Sequence, residues 1–206
     1  MNVGLIKTPL RSSLLRVFAR PLQYLFVATL LAFKPAVSAA ELRVGNVYPL
    51  TFNDVDHQDL STADGHATII TVVTRKDENK AELLGDRIPH AFMGNPKFRL
   101  ITIVNFQQSV FVPFRGMLMA IIRNRLDSEG KDLQKIYTER HITRNARSDI
   151  HVVADFDGKA VSFLGIAPTS SEFAVFVFDG RGKLLRRWNE VPGPEAIAAA
   201  LEEAAR

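Results

Sequence analysis

The chain of 206 residues contains no cysteine. That absence removes disulfides, Fe–S clusters, thiolate metal sites and thiol redox chemistry from what it can do. Hydrolase and nucleotide signatures are missing as well: there is no Gly-x-Ser-x-Gly, no P-loop and no Gly-x-Gly-x-x-Gly. Nor does any apolar run approach the ~20 residues that a membrane-spanning helix requires. The formal charge of +4 is misplaced rather than general. Five of the 26 bases and none of the 22 acids lie in residues 1–40, so the remainder carries 21 bases against 22 acids. A near-neutral body of this kind weighs against nucleic acid or an anionic membrane as a partner, because those require a basic working surface, and no nucleic-acid partner is expected.

Residues 1–40 have the tripartite form of a secretory signal. Lys7, Arg11, Arg16 and Arg20 precede the short apolar run Leu25–Phe33, followed by Pro35 and the small residues Ala36-Val37-Ser38-Ala39-Ala40. Cleavage is expected near Ala39-Ala40, giving a periplasmic or secreted chain with no membrane span. Without a cysteine after the apolar run, lipoprotein attachment is not available.

No repeat or linker divides residues 41–206, and one domain is expected. Ala67–Thr74 and Phe98–Asn105 read as strands, with a short helix over Lys80–Ile88 between them. A helix is expected between Pro113 and Gly130, with Phe114, Met117, Leu118, Ile121 and Ile122 turned inward and Arg115, Arg123 and Asn124 outward. Asp149–Phe156 reads as a third strand. Phe173–Phe178, apolar at every position, reads as a strand covered on both faces, and Asp179–Gly182 turns it into Lys183–Trp188 as a hairpin. Pro194 and Glu195 suit the first turn of a closing helix through Ala205, with Ile197 and Leu201 inward. Together these make an α/β fold of three layers on a mixed sheet.

The opening Leu42–Leu60 resembles that of redoxin-type thioredoxin-like proteins, and Phe173–Trp188 with the final helix resembles their last hairpin and helix. Phe156-Asp157-Gly158, Ser170-Ser171, Val175–Asp179 and Gly182 are similar in pattern to the periplasmic YtfJ-type proteins of that superfamily. The resemblance implies a cysteine-less thioredoxin-like domain. It places the family's reactive position at Thr74-Arg75-Lys76-Asp77-Glu78, where no sulfur stands. Gly165-Ile166-Ala167-Pro168-Thr169 resembles the family's cis-proline motif, with Ser171 as an alternative occupant of that position. The helix N-terminus flanked by Arg75 and Lys76 suits a small anion; a solvated loop with Asp77 or Glu78 capping the helix is the plainer reading.

Two other groupings carry chemistry-bearing side chains. Asp54, Asp56, His57 and Asp59, with Asp64 and His66, gather oxygen and imidazole donors within thirteen residues, a donor set for a metal-binding or hydrolytic site. Arg140, His141, Arg144 and Arg147 form a basic segment that either grips an anion or serves as a solvated connector, with Tyr137 and Ile142 as its anchors. His90 and His151 have no acid or nucleophile at a recognised spacing. The function expected from the whole is a redox-inactive binding or scaffold module without cofactor or catalytic residue. It would hold an envelope protein or small anion through Thr74, Arg75, Lys76, Asp77, Pro168, Thr169 and Ser171. The alternative is a periplasmic metal-binding protein or hydrolytic enzyme using Asp54–His66.

Overall fold

The computed structural model describes residues 41–107 and 115–206, without the side chains of Arg75 and Glu78. The expected signal segment, Pro113 and Phe114 lie outside the described residues. A small antiparallel hairpin opens the chain, β1 (Thr51–Asn53) with β2 (Asp59–Ser61). The main sheet follows: β3 (Ala67–Val73), β4 (Phe98–Asn105), β5 (His151–Asp155), β6 (Ala174–Phe178) and β7 (Leu184–Trp188), in the order β5-β4-β3-β6-β7. The strands β3, β4 and β5 run parallel, whereas β6 is antiparallel to both β3 and β7. The helices are α1 (Glu78–Arg87), α2 (Arg115–Glu139), α3 (Lys159–Phe163) and α4 (Pro194–Ala204).

Composition explains why β3 and β6 occupy the interior of the sheet. Every residue of both is buried, which suits strands covered on both faces. On one face Ile69, Val73, Val175 and Val177 pack against Leu84 of α1 and Ile197 and Leu201 of α4. On the other, Ile70, Val72, Ile101, Ile103, Phe176 and Phe178 meet Val161 of α3 together with Phe52 and Leu60 of the hairpin. Each such side chain contributes about 1.5–3 kcal/mol by leaving water. A strand–helix–strand unit joined to an antiparallel hairpin and a closing helix is a thioredoxin-like core, here extended by the parallel edge strand β5 and the hairpin β1–β2. Among the described helices none is long and apolar enough to cross a membrane.

The helix α2 departs from the sequence reading. It continues past Gly130 to Glu139, and its buried residues are Leu126, Gly130 and Tyr137. Met117 and Ile121, expected inward, are 56% and 53% exposed. Arg123, expected outward, donates from Nε to the Val55 carbonyl at 2.9 Å. The cause lies in what α2 packs against. Its second half is drawn in by the connector before β5, where the Tyr137 hydroxyl donates to Asp149 Oδ2 at 2.9 Å and Arg147 sits against Gly130. The connector also starts β5 late: Ala146–Asp149 is a 3-10 turn, so the strand begins at His151.

Candidate functional site

The strand β3 ends at the centre of the sheet, and Arg75–Asp77 follows as one 3-10 turn before α1. Asp77 stands at the N-cap of α1 yet makes no side-chain cap bond to that helix. Its carboxylate reaches backward instead: Oδ2 accepts from the Thr74 hydroxyl at 2.7 Å and from the Thr74 N–H at 3.1 Å, and Oδ1 faces Lys80 Nζ at 2.9 Å. The cap expected of Asp77 is therefore replaced by a loop closed on itself. Burial pushes the Asp77 carboxyl up, but the Thr74 and Lys80 hydrogen bonds outweigh it and hold the group below the usual carboxylate range. The Lys76 side chain is exposed.

The segment Pro168–Ser171 lies at the same end of the sheet. Val72 pairs with Ala174, which brings the approach to β6 beside the exit from β3. One side chain joins the loop to the approach to β6, and a second fixes Pro168–Ser171 to the end of β4. Lys80, already on Asp77, also has its ammonium 5.1 Å from the centre of the Phe173 ring. Asn105 follows the Val73–Val104 pair by one residue, and its Nδ2 donates to the Pro168 carbonyl at 2.9 Å and the Ser170 carbonyl at 3.3 Å. Thr169 and Ser171 are exposed at the tip, whereas Pro168 is half-buried against Gly158. No described peptide bond is cis, Pro168 included. Sequence reasoning missed Asn105 as a link in this site. The available signal was an amide closing the strand just after the apolar Ile103 and Val104.

The Asp54–His66 grouping does not form one site. Asp54 is buried, and its Oδ1 accepts from the backbone N–H groups of Asp56 and Gln58, both at 2.8 Å. Asp56 pairs with Arg147 at 2.7 Å, and Asp59 accepts from Asn53 at 3.1 Å. His57 Nε2 accepts from Arg123 at 3.1 Å. Asp64 forms a two-pronged bond with the buried Arg99, 2.9 Å at each oxygen, and its Oδ1 accepts a hydrogen bond from His66 Nδ1 at 2.8 Å. Burial raises the Asp64 carboxyl, but Arg99 and His66 overcome that and hold it well below the usual carboxylate range. Among the described residues no three metal-ligating side chains converge. Each acid is committed to a different partner: Asp54 to main-chain N–H groups, Asp56 to Arg147, Asp59 to Asn53 and Asp64 to Arg99.

Two members of the basic segment are likewise taken up by carboxylates: Arg144 pairs with Asp149 at 2.6 Å, and Arg147 with Asp127 at 2.9 Å besides Asp56. His151, read from sequence as lacking an acid, has one: its Nδ1 lies 3.5 Å from Asp54 Oδ2. It lines an open cleft of about 290 Å³ shared with Asp56, Gln58, Asn145 and Arg147.

No protein-family model and no curated protein matches the chain. Solved structures resemble it at low identity. A thiol:disulfide interchange protein of the thioredoxin family from Chlorobium tepidum is 13% identical, over 81% of this chain and 100% of that one, with a TM-score of 0.49. A peroxiredoxin-like protein from Aquifex aeolicus is 16% identical over 81% and 90%, with a TM-score of 0.48. The exposed lipoprotein thioredoxin of Streptococcus pneumoniae is 16% identical over 75% and 98%, with a TM-score of 0.45.

Proposed function

We propose that this is an exported, periplasmic and redox-inactive member of the thioredoxin-like proteins, akin to the YtfJ type. It holds an envelope protein or a small anion on the face formed by Thr74, Arg75, Lys76 and Asp77 beside Pro168, Thr169 and Ser171. One observation carries the reading. Lys80 contacts both Asp77 and the Phe173 ring, tying the loop after β3 to the segment before β6 as one surface. The absence of cysteine supports a role in binding rather than electron transfer, since a threonine hydroxyl does not cycle between oxidation states as sulfur does.

The test is site-directed crosslinking in intact envelopes, run with a titration of inorganic phosphate into the purified protein. The double variant Arg75→Ala/Lys76→Ala is expected to lose the crosslinked partner or the phosphate signal while its thermal melt is unchanged. Partner capture at the parent level, together with no phosphate binding by the parent protein, overturns the reading.

A further inference from the structure

The strand β5 is the outer strand of the sheet, and the geometry of a parallel ladder decides which of its residues serve β4. Phe106 donates its N–H to the Asp155 carbonyl at 2.8 Å. Asp155, and with it Val153, therefore turns its main-chain groups toward β4. Val152 and Ala154 turn theirs outward. The Val152 carbonyl is taken by the Val55 N–H at 2.8 Å, whereas among the described residues nothing outside the sheet takes the main chain of Ala154. An unpaired donor and acceptor on an edge strand form a template for another extended chain.

A cleft of about 250 Å³ opens at that place, with apolar walls from Val55, Met119, Ala154 and Phe156 and polar groups from Arg115 and His57 at its margin. The Arg115 guanidinium lies 4.7 Å from the centre of the Phe156 ring, and among the described residues no carboxylate pairs with it. Arg123 can only donate to His57 Nε2, so the neutral imidazole keeps its proton on Nδ1. Asp54 also borders the cleft, but its carboxylate is held by the Asp56 and Gln58 N–H groups and by His151, with only 1% of the side chain exposed. The charge left for an occupant is thus the cation of Arg115.

We propose that this edge cleft binds an extended peptide segment that carries a carboxylate. The segment adds to β5 as a short strand through the N–H and C=O of Ala154. One apolar side chain enters between Val55, Met119 and Phe156, and the carboxylate rests on Arg115. The site is separate from the face formed by Thr74–Asp77 and Pro168–Ser171, and it stands or falls independently of that face.

The test is selection of random heptapeptides on the purified full chain, followed by affinity measurement on synthetic copies. Selected peptides are expected to combine an apolar residue with an Asp, a Glu or a free C-terminal carboxylate within two or three positions. Arg115→Gln and the carboxamide form of the same peptide should each weaken binding about tenfold, as the loss of one charge-assisted hydrogen bond does. Hydrogen–deuterium exchange at the Ala154 amide should be fast in the free protein and slowed by peptide. Selection without enrichment of such peptides, binding by Arg115→Gln within twofold of the parent, or an Ala154 amide already protected in the free protein overturns the proposal.

Discussion

His151 Nδ1 lies 3.5 Å from Oδ2 of Asp54, across 97 positions of chain, and joins the start of β5 to the turn between β1 and β2. Burial pulls the imidazole below its ordinary value, and the Asp54 hydrogen bond only partly offsets this. An unfolded chain therefore takes up this proton before the folded one does. Stability due to His151 is complete above about pH 6.5, the unperturbed value. It is lost as pH falls from there through the lower folded value. Denaturant melts between pH 7.5 and 5 should show this decline, and His151→Gln should flatten it.

Asp77 and Thr74 form a closed loop, so either truncation opens it. Asp77→Ala removes three polar contacts from a carboxylate whose residue is 6% exposed. It should cost about 1–2 kcal/mol. Because the folded carboxyl sits below its unfolded value, the contribution is present above about pH 4 and disappears on further acidification. Parallel urea melts of the parent protein and Asp77→Ala at pH 7 and pH 3 check both statements: their stabilities should converge at the lower pH.

Gly158 has a φ of +75°, and a Cβ placed there would stand 2.4 Å from the Pro168 Cβ. Gly158→Ala therefore meets backbone strain and a collision with the segment that Asn105 holds. A loss of about 1–3 kcal/mol is expected, accompanied by shifted amide resonances at Pro168's neighbours Ala167 and Thr169. Normal stability would show that the loop moves aside freely.

Tyr137 is buried at the end of α2, and burial together with the hydrogen bond to Asp149 pushes its phenol up to about 12. A raised acid is stabilising while it stays protonated. Its contribution is therefore full below about pH 10 and lost as pH climbs toward the folded value. Absorbance titration at alkaline pH should contain a late component that Tyr137→Phe removes, with a stability cost of about 1–2 kcal/mol for the lost donor.

The main sheet could be read from the sequence where apolar residues run without interruption. Ala67–Val73 and Ala174–Phe178 are buried at every position, and no amphipathic alternative competes with that pattern. Pro194 marked the start of α4 because a ring without an N–H suits the first helical turn. Helix α2 could not be read in the same way. Met117 and Ile121 repeat at helical spacing but remain exposed, and the burial of Gly130 and Tyr137 depends on Arg147 and Asp149, which come later in the chain. The Asp54–His151 and Arg99–Asp64 pairs were equally hidden, since contacts across such separations leave no local periodicity. What sequence could supply at the candidate face was the position of Thr74–Asp77; the Lys80 contact with Phe173 and the Asn105 hold on Pro168 required the folded sheet.

The backward reach of Asp77 also bears on whether this scaffold could be made to do thiol chemistry. A sulfur introduced by Thr74→Cys would sit against a carboxylate already within bonding distance of that side chain. Negative charge at that range favours the protonated thiol over the reactive anion. Sulfur placed there would thus be a sluggish nucleophile, and waking it would also require neutralising residue 77.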